Sequence, residues 1–589
     1  MIASSEYASR QARWTQEVAR HKKTQDQLVY ARLAIGAVLA AVAAMALGAE
    51  WISAWWLAVP AIPLFISIAL HPSRERALQR AVRSKAFYDR AIARIENRWA
   101  GTGSQGDSLR DPHHVYADDL DIFGRGSLFE LLSTARTATG ERTLASWLLT
   151  PGEHTEVTAR QSAVQELSTR LDLREDLAVL GEDIRSALDD RSLAKWGSRP
   201  EVKFFAGAGW IALLLAIVAA IAIGSWAIGT STLRPFLYIA VLEIVFTAAI
   251  HKQIGEITDT VNTPARELRL IAEMLERLEK ESFTSPALTA LRARLSAAGH
   301  IRKLERLVEW KEWAHNQIFG VIAAPLLWVP QFAMAIESWR VEHGPHIADW
   351  IAAVGEFESL GSLASFTFER PEATFPQLSD SPDPHFSATA LAHPLIAVGK
   401  AVPNDVTLNR ETPLWIISGS NMSGKSTLLR AIGLSVAMAW AGAPVAARDL
   451  KLSRLRIGAS LRANDSLADH QSRFYAEIVK LKNIVDAAGA KQQVLFLLDE
   501  LLSGTNSHDR RIGADALIKG LLDRGAIGLT TTHDLALAEI VTELGPRARN
   551  VHFEDQFDSG KIAWDYRLKD GIVKRSNALE LMRAVGLDV

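Results

Sequence analysis

An apolar strand running straight into a glycine loop dictates most of what the C-terminal part of this chain can become. Residues 414–427 read Leu-Trp-Ile-Ile-Ser-Gly-Ser-Asn-Met-Ser-Gly-Lys-Ser-Thr. Glycines at 419 and 424 let successive backbone N–H groups turn inward around phosphate oxygens, and the helix that follows adds partial positive charge. The spacing predicts a nucleoside triphosphate site built from Gly419, Ser420, Ser423, Gly424, Lys425, Ser426 and Thr427. Lys425 is expected to reach the β and γ phosphates and the Ser426 hydroxyl to ligate Mg²⁺. A glycine turn that binds nothing is the plain alternative.

A second segment supplies the other half of such a site. Residues 494–498 form a continuous apolar run, as a buried parallel strand should, and end in Asp499-Glu500. Phosphoryl transfer needs positioning and charge neutralisation more than covalent help, so Asp499 is read as a Mg²⁺ ligand and Glu500 as the group that orients and deprotonates the attacking water. Residues 527–531 make another apolar strand, after which His533 is placed to sense the γ phosphate. An acidic turn and a capped loop histidine are the bland alternatives.

At 589 residues the chain exceeds one hydrophobic core, and about three or four domains are expected. The absence of cysteine excludes a disulfide framework and a thiolate metal site. With Lys+Arg 65 against Asp+Glu 67, no global basic field points to nucleic acid, so any such contact needs a local patch. The stretch 301–311, with Arg302, Lys303, Arg306 and Lys311, is one candidate patch, a solvated helix face being the ordinary reading.

Hydrophobicity is uneven. Residues 33–49 and 51–70 carry no charge and are separated by Glu50 alone, which predicts a membrane hairpin. A second hairpin is expected from 204–228 and 236–250, the latter holding only Glu243. Apolar core helices of a water-soluble protein are the alternative. Arginines and lysines crowd 71–100 and the N-terminal arm, while the hairpin tips carry almost no positive charge. Both flanks are therefore expected on the cytoplasmic side of the inner membrane, as a multi-pass protein. The apolar stretch 318–336 contains Pro325, Pro330 and Gln331; a fifth crossing would put the triphosphate site on the wrong side, so a buried or membrane-surface helix is expected there.

Helical periodicity dominates 120–203 and 251–365, whereas strands and helices alternate from 385 onward. The expected organisation is an N-terminal arm with the first hairpin and a basic helix (1–110), a helical domain interrupted by the second hairpin (111–370), a Pro/Ser/Asp-rich linker (371–384) and an α/β ATPase domain with a mostly parallel sheet (385–589).

Several segments together resemble the MutS family of DNA mismatch-repair ATPases. These are His393-Pro394-Leu395-Ile396 with Val402-Pro403-Asn404-Asp405, the Asn421-Met422 dipeptide, Arg456-Ile457-Gly458-Ala459, Ser472-Arg473-Phe474 with Glu477, and Asp499-Glu500 leading into Ser503-Gly504-Thr505-Asn506-Ser507. Upstream, Ser127-Leu128-Phe129 through Trp147-Leu148-Leu149 and Pro151 is similar to the family's helical core. The resemblance implies an ABC-type P-loop fold, Val402, Asn421 and Met422 as further nucleotide contacts, and a homodimer in which each site is completed by its partner. Ser472 and Arg473 would then face the partner's γ phosphate, with Gly504, Thr505, Asn506 and Ser507 relaying between sites. Arg473 stands where the family usually has threonine, and Ala401 where it tends to have an aromatic. No Phe-x-Glu occurs in the chain, and apolar stretches occupy the place of the family's mismatch-reading domain. Direct mismatch reading is therefore not expected, since a stacking wedge is what turns deformable DNA into a recognised site. The chain ends at Val589 soon after 576–587, which resemble the end of the ATPase domain, so no appended dimerisation module is expected. The function implied is a membrane-anchored, ATP-driven dimer switch associated with DNA. A device acting on lipid or a membrane-protein partner is the alternative, and a transporter motor is disfavoured because the four spans offer no polar conduit.

Overall fold

A computed structural model of the chain describes residues 2–48, 51–187, 189–316, 319–420, 423–461, 473–489, 493–502, 505–533, 540–558 and 561–573. The motif residues singled out in the sequence are thus covered except at Asn421, Met422, Ser472, Ser503, Gly504 and 576–587, which lie outside the described residues.

The chain opens with a long antiparallel hairpin of α1 (Ile2–Ala43) and α2 (Ala58–Ile95). Its open end is fastened to the body by aromatics and charge. Tyr7 lies against Tyr88 and Phe368 and donates to Glu369 at 3.3 Å, while Arg94 forks onto the same carboxylate at 2.5 and 2.8 Å. A second long hairpin joins α8 (Ala208–Ala227) to α9 (Arg234–Glu279). Helices Ile2–Leu47, Ala54–Ile95, Ala208–Ala227 and Arg234–Glu279 are each long and apolar enough to cross a membrane. They display large apolar side chains outward, among them Phe65, Trp210, Ile221, Val241 and Val245. Both helices of the first pair and α9 continue well past their apolar stretches, because charged residues at helical spacing extend the same hydrogen-bond ladder into the polar body.

The stretch expected as one buried or surface helix over 318–336 is broken. Phe319–Leu326 and Trp328–Glu369 meet at a 68° bend, with Leu327 in the left-handed region at φ 46°. The freed backbone is held locally: Gln331 Nε2 donates to Leu326 O at 2.7 Å, and the Trp328 indole donates to Trp310 O at 2.6 Å. Proline at 325 and 330 cannot continue a normal ladder, which accounts for the break.

The helical body is organised around α14 (Ile347–Glu369), most of whose residues are buried against α4 (Ala138–Leu149), α5 (His154–Ser168) and α7 (Asp190–Gly197). Two sheets follow. The first has order β1 (Gln377–Ser379), β5 (Asp449–Ser453), β2 (Phe386–Leu391), β3 (Asn404–Leu408), with only the β1 to β5 pairing parallel. Part of the stretch expected as a linker over 371–384 is therefore a strand. The second runs β10 (Lys561–Asp570), β9 (Ala548–Asp558), β4 (Leu414–Ser418), β8 (Ile527–Thr532), β7 (Val494–Leu498), β6 (Arg456–Ser460), parallel throughout except at β10.

Period-two alternation splits this sheet between two cores. Trp415 and Ile417 of β4, with Leu495 and Leu497 of β7, join the large core shared with the helical body. Leu414 and Ile416, with Phe496 and Leu498, face α16 (Arg473–Gly489) and α17 (Ser507–Asp523) on the other side. Between sheet and helical body lies α15 (Lys425–Ala441), almost wholly buried and in contact with α4 and α5. The helix that begins at the glycine loop is thus also a core element of the helical body.

Candidate functional site

Parallel pairing brings the C-terminal ends of β4, β8 and β7 to one edge of the sheet, where open α/β sheets place their ligand sites. Ser418 at the end of β4 pairs with Thr532, and Leu498 at the end of β7 pairs with Thr530. The three segments singled out in the sequence therefore emerge side by side.

The glycine loop leaves β4 with Gly419 at φ 152° and enters α15 through Gly424 at φ 107°, conformations that L side chains rarely adopt. A Cβ on Gly424 would also sit 3.1 Å from the ring of Tyr566. Lys425, 4% exposed, donates to the carbonyls of Gly419 and Ser420, both at 2.7 Å, which folds its ammonium over the loop. Ser423 is buried, and its Oγ has no hydrogen-bond partner among the described residues. Ser426 and Thr427 occupy the first turn of α15, partly exposed and exposed respectively.

His533, following β8, ties the two halves together. Its Nδ1 is 3.1 Å from Gly419 O and its Nε2 is 2.6 Å from Glu500 Oε1. An imidazolium ring would donate to both. Asp499 accepts from the Thr531 hydroxyl, and that hydroxyl oxygen in turn accepts from the Glu500 backbone N–H at 2.9 Å. Glu500 and Leu502 both hold left-handed backbone, at φ 50° and 55°, a conformation that persists only where surroundings enforce it. The enforcement is visible: Thr531 holds Glu500, and the buried Glu477 carboxylate accepts from Leu502 N at 2.7 Å. Two of these groups, Thr531 and Glu477, were not among the expected site residues. No local sequence signal singles out Thr531, which comes beside the acidic strand end only through the pairing of β7 with β8.

Tyr566 is a third addition. It lies in the β10 bulge between Trp564 and Leu568 at φ 52°, and Asn404 fixes that bulge by donating to Tyr566 O at 3.0 Å and accepting from Leu568 N at 2.7 Å. Asn404 Nδ2 also lies 3.4 Å from the carbonyl of Val402, so the Val402 segment is joined to the glycine loop through this tyrosine.

The residues expected at a partner's site are placed only in part. Arg473 begins α16, and Thr505 N donates to Leu502 O at 3.3 Å. Asn506 caps α17, its side-chain oxygen accepting from Asp509 N at 2.9 Å, and Ser507 is the first residue of that helix. Two of the four cations of the basic stretch 301–311 are neutralised. Arg302 is paired with Glu276 at 2.5 Å and Glu305 at 2.7 Å, and Lys311 is buried against Asn262 and Glu312.

The site is joined to the helical body through Asp119, 1% exposed, which accepts from Leu461 N at 2.9 Å and from Lys480 Nζ at 2.8 Å. Lys480 is on α16, and Asp119 lies in the loop preceding α3 (Leu128–Leu132). Near the other sheet, burial with Arg430 close by holds the His393 ring down to about 4, and its Nδ1 accepts from Leu395 N at 3.3 Å, as a neutral ring does.

Comparison with known proteins agrees with this division of the chain. Residues 116–397 match the family model of MutS domain III, and residues 415–588 match that of MutS domain V. A "DNA mismatch repair protein MutS" from Myxococcus xanthus (strain DK1622) is 28% identical over 522 residues, covering 79% of this chain and 56% of that protein. Proteins of the same name from Geobacillus sp. (strain WCH70) and Natronomonas pharaonis are 31% and 33% identical over 243 and 199 residues. Those alignments cover 40% and 33% of this chain, and 28% and 23% of the relatives. The chain therefore spans about half of the first relative's length and about a quarter of the others'. Joined in one chain in the order helical body, then sheet domain, the two matched domains make this protein a member of the MutS family.

Proposed function

We propose that the chain is a membrane-anchored, Mg²⁺-dependent ATPase of the MutS type, working as a homodimer whose two α/β domains close on ATP and reopen on hydrolysis. The observation that carries this is the hydrogen-bonded path from Gly419 O through His533 to Glu500, which joins the glycine loop to the acidic strand end. Lys425 donates to loop carbonyls and can exchange them for phosphate oxygens without leaving its place. Glu500 is positioned as the base that takes a proton from water, with His533 setting its orientation. Ser426 and Asp499 offer the hard oxygen donors that Mg²⁺ prefers, and phosphates and water would complete its shell. Bound there, Mg²⁺ supplies charge neutralisation at the transferring phosphoryl group. Movement of the loop is passed to the helical body by α15, which is buried in both.

The hairpins support anchorage in the inner membrane with the ATPase domain in the cytoplasm: apolar side chains cover helices long enough to span it, and exposed patches of that size otherwise mark a binding surface. Association with DNA, in repair or recombination, is the reading favoured by family membership, without direct mismatch reading. The pairing of Arg302 and Lys311 with acids on the 301–311 face favours a second reading, in which the same switch acts on lipid or a membrane-protein partner. Lys425→Ala is expected to abolish nucleotide binding and Glu500→Gln to trap an ATP-loaded closed dimer; normal hydrolysis by both variants would remove the assignment. Binding to duplex, mismatched and branched DNA in nanodiscs separates the two readings, because real phosphate contacts weaken steeply with salt.

A further inference from the structure

The second hairpin holds a cavity of about 580 Å³ that nothing in the ATPase reading uses. One wall is a single face of α9, on which Phe236, Ala240, Glu243 and Thr247 recur at helical spacing. The other is the broken segment around Leu327, including Ala323, Pro325 and Trp328. A concave apolar site of this size with few polar groups is the usual form of a small-molecule pocket.

Its polar group is costly. Glu243 is 6% exposed, and its Oε1 has no hydrogen-bond partner among the described residues. It stands seven residues from either end of the apolar stretch 236–250, so roughly 10 Å of apolar helix flank it on each side. An unpaired carboxylate within such a span is expensive to retain and marks a site by default. The rim is apolar and exposed: Ile244 lines the cavity at 68% exposure, and Val321 and Ile322, between lining residues Gly320 and Ala323, are exposed as well. An occupant would therefore enter sideways, from lipid.

We propose that this cavity binds a membrane-dissolved amphiphile with an apolar body and one hydrogen-bond donor, an ammonium or a hydroxyl, that pairs with Glu243. The inference rests on the membrane reading of the second hairpin. Accepting that donor relieves the unpartnered carboxylate, while the apolar walls and the Trp328 ring cover the body. Since α9 continues from the cavity wall into the helical body, occupancy is felt outside the membrane.

The full chain in phosphatidylcholine nanodiscs is labelled with a diazirine-bearing stearylamine, and adducts are mapped by mass spectrometry. Adducts are expected to concentrate on 236–247 and 319–330, and to fall by about tenfold in Glu243→Leu, the loss of roughly one hydrogen bond to a charged group. Ala240→Trp, which fills the cavity and leaves the carboxylate, is expected to abolish them. Competition by oleylamine alone assigns an ammonium, and competition by oleyl alcohol as well assigns a neutral donor. Labelling spread evenly over both hairpins, unchanged in both variants, or resistant to both competitors would overturn the pocket. Release of the chain from native membranes by alkaline carbonate would instead overturn the membrane reading, and the pocket with it.

Discussion

Replacing Thr531 by valine removes one hydroxyl and keeps the shape of a fully buried strand residue. Two bonds go with it: the donation to Asp499 and the acceptance from Glu500 N at 2.9 Å. A neutral backbone bond contributes about 1 kcal/mol and a bond to a charged carboxylate about 1.5–3 kcal/mol. Glu500 depends on that backbone bond more than most residues would, because its left-handed conformation costs about 1–3 kcal/mol and is held from outside. If roughly half of the lost energy, about 1.25–2 kcal/mol, appears in the transition state, kcat for ATP hydrolysis falls about 8- to 30-fold. Nucleotide affinity should stay close to that of the parent, since the Lys425 ammonium rests on the carbonyls of Gly419 and Ser420. Steady-state phosphate release gives kcat, and titration with a fluorescent ATP analogue gives affinity. A kcat within about twofold of the parent, or a loss confined to affinity, would refute the role assigned to this hydroxyl.

Asp119→Ala strands Leu461 N and removes one partner of Lys480, so destabilisation of about 2–4 kcal/mol is expected in urea unfolding, with looser coupling between α16 and the helical body. His393 makes stability depend on pH in a defined direction. Its folded value of about 4 lies below the ordinary value of about 6.5, so between these limits the unfolded chain binds a proton that the folded one refuses. The contribution is full above pH 6.5 and falls with acidification to about pH 4, by up to about 3 kcal/mol; an equally steep dependence in His393→Asn would discount it. Asn506→Ala should cost about 1 kcal/mol at the start of α17, read as faster amide exchange there, and unchanged exchange would deny the cap.

Much of the sheet domain was legible because its signals are local. A glycine loop between an apolar strand and a helix, and an acid pair at a strand end, each fix their own geometry before tertiary packing is known. Parallel pairing then needs only to align the strand ends. What escaped the sequence depends on distant partners. Thr531 reads as an ordinary strand residue until β7 lies beside β8. Tyr566 reaches Gly424 only through a bulge fixed by Asn404, 162 residues away. Lys311 looks like one charge among several on a wet face, yet Asn262 on α9 buries it. The bend at Leu327 falls on a residue that is neither glycine nor proline, so composition marks its neighbourhood and not its position.

The length of α9 has a mechanical consequence. Its 46 residues form one rod of roughly 69 Å, with Pro264 as its internal proline. Over that length, tilting one end by about 5° sweeps the other through roughly 6 Å, less whatever bending the ladder bond missing at Pro264 permits. Whatever grips its greasy end therefore biases the angle at which the opposite end meets α6 (Leu171–Ala187) and α11 (Ala298–Trp313), and leverage runs equally well in reverse.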